Sequence, residues 1–168
     1  MSQYENVDLV FISHTTEAKE MEEEEFFNTR DSGGTVVSTA LELMDKIIQE
    51  RLLQTNVYVS QISDGDNYTK DDEKCQEILL KNILPYVQYY TYIQIDDYHE
   101  PSDQMSISNY LGIDKGLWKA YESVRDQCEH FKIKRVMEES DIYSVFKELF
   151  EKKWPYYSKV VPTGISIR

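Results

Sequence analysis

No apolar run in this 168-residue sequence approaches the roughly 18 residues that a membrane-spanning helix requires. The first residues, Met1-Ser2-Gln3-Tyr4-Glu5, also lack the basic start and apolar middle of a signal peptide. A cytoplasmic location is therefore expected. Positive charge is scarce: 18 Lys and Arg stand against 31 Asp and Glu, for a net charge of −13. Such a surface repels the phosphates of nucleic acid and the anionic face of a membrane, so neither is expected as a partner. Cysteine is scarce too. Cys75 and Cys128 lie far apart, and neither has a second Cys or a His at a metal-ligand spacing; Cys128 and His130 are too close together for that pattern. Both thiols are expected to be reduced, partly buried and structural. No internal repeat or low-complexity tract interrupts the chain.

What is present suits one α/β domain, since 40% of the residues are apolar. Val7 to Ile12 is short, β-branched and nearly continuously apolar, as in an interior strand covered on both faces. Glu17 to Glu25 is acid-rich and reads as a solvated edge or loop. Val37, Leu41, Met44, Ile48 and Leu52 share one helix face, predicting a helix from near Thr35 to near Arg51. Asn56 to Ile62 alternates as a strand and breaks at Ser63-Asp64-Gly65-Asp66-Asn67. Ile78 to Leu84 reads as a helix stopped by Pro85, and Tyr86 to Ile95 as a third strand. Leu117, Tyr121, Val124, Cys128 and Phe131 mark another helix, Ile133 to Met137 a fourth strand, and Ile142 to Phe150 a last helix begun by Ser140-Asp141. Strands alternating with helices indicate a three-layer, mostly parallel sheet with helices on both faces. The domain spans 1–152; residues 153–168 lose helical periodicity, contain two prolines, and read as an atypical tail that is either floppy or covers an exposed edge.

Ligands of parallel α/β sheets bind at the carboxyl ends of the strands. Two loops fall there, Ser32-Gly33-Gly34-Thr35 and Ser63-Asp64-Gly65-Asp66-Asn67. A hydroxyl and a carboxylate brought together suit a hard divalent cation. The plainer readings are that Thr35 caps its helix by accepting from the amide of Ser38, and that the Asp64 loop is an ordinary turn. His14 ends the first strand, either facing this site or serving as hydrogen-bonded scaffold. His99, with Asp96, Asp97 and Glu100, reads as a solvated acidic turn without metal-ligand spacing. Tyr86, Tyr89, Tyr90 and Tyr92 belong to one strand and are expected to pack rather than to bind.

The strings His14-Thr15-Thr16-Glu17-Ala18-Lys19-Glu20, Glu23-Glu24-Glu25-Phe26-Phe27, Ser32-Gly33-Gly34-Thr35-Val36-Val37-Ser38 and Ser63-Asp64-Gly65-Asp66-Asn67 resemble the C-terminal half of YeaH/YhbH proteins. The likeness continues through Asp141-Ile142-Tyr143-Ser144-Val145-Phe146-Lys147-Glu148-Leu149-Phe150, to about residue 152. That family looks like a von Willebrand factor A-type domain, whose metal-ion-dependent adhesion site is built from three loops. The resemblance implies that Thr35 matches the threonine loop and Asp64 the aspartate-glycine loop, with Asp66 as a further metal candidate. Ser32, Gly33, Gly34, Asn67 and His14 would then face a partner. The third loop, an Asp-x-Ser-x-Ser motif after the domain's first strand, has no counterpart here, so Mg²⁺ or Mn²⁺ is expected to bind weakly or not at all.

In the A-type sheet that first strand lies between the second strand and the one ending at Asp64. Its absence would leave a row of backbone groups unpaired. Three routes close the gap: direct pairing of Val7–Ile12 with Asn56–Ile62, a second copy or an upstream segment entering the slot, or the tail folding in. Self-association is the expectation. The implied function is a non-enzymatic protein-interaction module, linked through the resemblance to a PrkA-like serine kinase and to stress response or sporulation. One alternative is a Mg²⁺-dependent phosphatase of the haloacid-dehalogenase kind, which the Asp64 loop loosely resembles. That chemistry needs a nucleophilic Asp-x-Asp after the first strand, where His14 and Thr15 stand instead. Another is a truncated gene product without independent function. A calcium loop fails because Tyr68 and Thr69 occupy ligand and turn-glycine positions, and a serine triad lacks its Gly-x-Ser-x-Gly elbow.

Overall fold

A computed structural model describes residues 7–29, 34–95, 116–150 and 162–167. Strand β1, Asp8–His14, buries Val10, Phe11, Ile12 and Ser13, as an interior strand should. A turn closed by the Thr15 amide donating to the Glu17 carbonyl reverses the chain into β2, Ala18–Met21, antiparallel to β1. The glutamate run then forms a short helix, α1, Glu23–Asn28, with Glu23, Glu24 and Glu25 in the first turn, where the helix dipole favours negative charge. Its buried Phe26 stacks on Phe11 with ring centroids 5.1 Å apart.

Helix α2, Val37–Ile47, buries Val37, Ala40, Leu41, Met44 and Ile47, then widens into a π-helical turn over Ile48–Leu52. Strand β3, Asn56–Ser63, buries Val57, Val59 and Gln61 in alternation. A 3-10 turn, Thr69–Asp71, leads into α3, Asp72–Ile78, which ends in a second π-helical turn, Leu79–Ile83, short of Pro85. Strand β4 covers Val87–Ile95 and α4 covers Gly116–Gln127. The expected continuation of that helix to Phe131 does not occur. The chain turns at Cys128, whose Sγ lies 3.4 Å from His130 Nδ1 while His130 Nε2 lies 2.9 Å from the Leu84 carbonyl. Phe131 instead opens β5, Phe131–Val136, because its ring packs on Tyr90 of the neighbouring strand at 5.1 Å. Helix α5, Asp141–Phe150, follows, and β6 runs from Pro162 to Ile167.

The six strands form one sheet in the order β2-β1-β6-β3-β4-β5. Every pairing is parallel except the β1–β2 edge, so the mostly parallel α/β reading holds. Val10, Ile12, Val57, Val59, Tyr90, Tyr92 and Ile167 face the side covered by α2, α3 and α4. Ile62, Ile93 and Val136 face the other side, under Val145 and Leu149 of α5, and Phe11 faces α1. Helices therefore lie on both faces.

The gap next to β1 is filled from within. β6 enters parallel between β1 and β3, with Ile167 in register with Ile12 and Gln61. The expectations that a second copy fills the slot, or that β1 pairs directly with β3, give way to the third route. A strand from the same chain satisfies both rows of backbone groups, each of which would cost about 1–3 kcal/mol if left buried and unpaired. Residues 153–161 of the tail lie outside the described residues, as do Asp96, Asp97, His99 and Glu100.

Candidate functional site

The site forms at the carboxyl ends of β1 and β3, where hydrogen bonds hold the two expected loops together. The Tyr68 amide donates to the Thr35 carbonyl at 3.1 Å, and the Val36 amide to the Thr15 carbonyl at 2.9 Å. The Asn67 side chain joins three elements: its Oδ1 accepts from the Val37 amide at 3.0 Å, and its Nδ2 donates to Asp72 Oδ1 at 2.8 Å. The Ser38 amide is taken by Asp71 Oδ2 at 2.8 Å. Thus the first free amides of α2 are capped by residues some 30 positions downstream. Thr35 is not the cap; Val36 occupies that position, and Thr35 is half-buried beside it.

The Asp64 loop is a tight turn as well as a candidate site. Asp64 Oδ1 accepts from the Asp66 amide at 2.9 Å and Ser63 Oγ from the Gly65 amide at 3.1 Å, while both carboxylates remain exposed. Gly65 has a φ of +82°, and a side chain there would collide with the Gln94 amide, so glycine is required on two counts. Gly34 is exposed beside the Thr16 methyl group, and Ser32 and Gly33 lie outside the described residues.

Beneath the loops the charges are buried. Burial works to raise the Asp71 pKa, but hydrogen bonds from Ser38 and Cys75 and the nearby Asn67 outweigh it and hold the carboxyl below its ordinary range. Burial raises Asp72 despite its bond from Asn67, and the Asp71 charge adds to the rise. Asp72 also lies against Gly116, the first residue of α4, so close that any side chain at 116 would meet its carboxylate. The Cys75 thiol, buried and donating to Asp71 at 3.3 Å, is pushed far above its usual pKa by burial and by that neighbour. His14 is held below its ordinary value by burial, against weaker opposing contributions from the Thr15 backbone, Asp64 and Asp71. Neither of its ring nitrogens has a hydrogen-bond partner of good geometry among the described residues.

A polar network continues into the core. Gln61 Oε1 accepts from Tyr90 at 2.7 Å and from Tyr121 at 3.0 Å, and Tyr92 links Ser63 to Gln94. Burial drives the Tyr90 and Tyr121 pKa values well upward. Tyr89, Tyr90 and Tyr92 pack as expected, while Tyr86 is exposed.

Sequence reading found the two loops but missed Asp71, Asp72 and Gly116. The only signal for the first two was an acidic pair ahead of a helical stretch. As to chemistry, Thr35 offers a hydroxyl and Asp64 a carboxylate. Among the described residues no three His, Cys, Asp or Glu side chains group as a metal centre, so the pair does not by itself complete an octahedral site. Nor is any described helix long and apolar enough to cross a membrane.

The model of a family described as "Protein of unknown function (DUF444)" matches residues 1–153. The chain belongs to this DUF444 family. UPF0229 proteins of Yersinia pestis (strain Pestoides F) and Yersinia pseudotuberculosis serotype O:1b (strain IP 31758) are each 44% identical to it over 152 residues. The match covers 89% of this chain but 32% of either relative, so the DUF444 chain spans about a third of their length. No solved structure matches it. Neither the family description nor the relatives' names states an activity.

Proposed function

We propose that this DUF444 chain is a non-enzymatic protein-interaction module of von Willebrand factor A-like architecture, carrying a partial metal-ion-dependent adhesion-type site at Thr35 and Asp64. The observation that carries this reading is the docking of the loop that leads into α2 onto the loop that follows β3 at the carboxyl end of the sheet, through Asn67 to Val37 and Tyr68 to Thr35. The central position between β1 and β3, which β6 fills in this chain, is where an A-type sheet keeps its first strand. Asp64 and Asp66 stay exposed and within a partner's reach. A carboxylate from a partner protein would add the oxygen that Mg²⁺ or Mn²⁺ lacks here, with water completing the shell. The PrkA-like kinase is the partner to try first, on the resemblance alone.

The test is a titration of Mg²⁺ and Mn²⁺ into the chain and its Asp64→Ala variant, following Tm. Occupancy at ten times Kd stabilises the folded state by about 1.4 kcal/mol. A Tm rise lost in Asp64→Ala supports a working half-site. An unchanged Tm at millimolar metal removes the cation from the reading.

A further inference from the structure

We propose that the outward side of α5 is a docking site for an amphipathic helix of another protein, apolar where it meets α5 and basic where it passes Glu138 and Glu139. The apolar residues of α5 run past the face it lays on the sheet. Val145 and Leu149 are buried against Ile62, Ile93 and Val136, whereas Ile142, Tyr143 and Phe146, on the adjoining flank, are 45%, 76% and 39% exposed. Met137, just ahead of the helix, is 48% exposed. A helix with apolar residues on a second flank is suited to being covered there as well. Ile142, Tyr143, Phe146 and Glu139 line an open groove of about 630 Å³, a volume within the range of binding pockets.

The chemistry of the groove chooses its occupant. Among the described residues that line it, the Glu139 carboxylate and the Tyr143 hydroxyl are the polar side-chain groups, too few to orient a small molecule. An extended peptide laid across helix side chains would leave its own backbone N–H and C=O groups against apolar surface. A helix brings those groups already paired, and its ridges pack between those of α5. Charge then sets the sign of the partner. Glu138 and Glu139 are exposed at the N-terminal end of the groove, and neither is ion-paired among the described residues. Asp141 beside them is committed to the Met137 and Glu138 amides, and Lys147 is the basic residue of the last turn. Basic residues on the incoming helix therefore belong at the Glu138–Glu139 end. The net charge of −13 draws such a helix in and works against a second copy of this chain, which carries the same charge. Neither Thr35 nor Asp64 takes part, so the cation reading is not needed for any of this.

The probe is a fluorescent helical peptide of roughly 18 residues, leucine on one face and lysine on the other, titrated into the full chain in a chelator with native mass read in parallel. Expected are saturable uptake of one peptide per chain, and none of a counterpart with glutamate for lysine or with a central proline that breaks the helix. Ile142→Ser combined with Tyr143→Ser, both at exposed positions where folding tolerates the change, should weaken uptake about ten-fold or more. Glu139→Lys should weaken it about two-fold or more. Phe27→Ser, at an exposed aromatic beside the other acidic run, should change it by less than about two-fold, which separates the groove from charge alone. No saturable uptake overturns the proposal, as does equal uptake of the proline peptide or equal uptake by the Ile142 and Tyr143 double variant. A chain running at twice its mass without peptide, and at single mass as that double variant, assigns the groove to a second copy. Uptake only by a Trp154→Ala chain assigns it to this chain's own residues after α5. Either result overturns our choice of occupant. The chelator keeps these outcomes separate from those of the metal titration.

Discussion

Asn67 spends both ends of its amide inside the fold, so its removal is a test of the site's frame. Asn67→Ala leaves the Val37 amide uncapped and Asp72 without its donor, and should cost about 1–3 kcal/mol in denaturant unfolding. Gln61→Leu strands two buried tyrosine hydroxyls and should cost a similar amount. His14 gives a pH signature. Its folded pKa is lowered, so below the ordinary value near 6.5 the unfolded chain binds more protons and stability falls as pH falls. Tm should therefore drop between about pH 7 and pH 5, and His14→Gln should flatten that drop. Asp71, with its depressed pKa, adds a second loss only at lower pH, as the carboxyl takes up its proton. Of these residues, Thr35 and the Asp64 turn were legible because serine, glycine and aspartate mark loops locally. Asp71 was not, because a carboxylate that caps a helix 33 residues upstream leaves no periodicity to read.

At the scale of elements, period carried most of the sequence reading. Asn56–Ile62 and Tyr86–Ile95 alternate or run apolar for long enough to declare β3 and β4 almost to the residue. Phe131 misled because it lies three positions beyond Cys128, a helical spacing, while the packing of its ring on Tyr90 places it in a strand. β6 was illegible: its alternation is confined to five residues and stands beside a proline and around a glycine, a composition that reads as loop, and only the gap it fills explains it. Helix α5 yields a direct contrast. Val145 and Leu149 face the sheet, whereas Ile142 is 45% exposed. Leu149→Ala should cost about 2–5 kcal/mol and Ile142→Ser within about 0.5 kcal/mol, as read from denaturant midpoints.

For the whole molecule, the net charge of −13 sets the terms. The ion pairs described, such as Arg51–Glu20 and Lys81–Glu77, are exposed and add little each. Self-repulsion therefore dominates, and raising salt from roughly 0.02 to 0.2 M should raise Tm rather than lower it. The rim of the sheet bears on a different hazard. One outer strand, β2, is only four residues long; the other, β5, carries Lys132, Lys134 and Arg135. Short and basic outer strands discourage edge-to-edge joining of neighbouring molecules. The interior has no such guard: were β6 to leave, Val10-Phe11-Ile12 on one side and Val57-Tyr58-Val59 on the other would become fresh, uncharged edges. Aggregation of this protein on heating or storage should thus follow the departure of a single strand, well before the rest of the sheet melts.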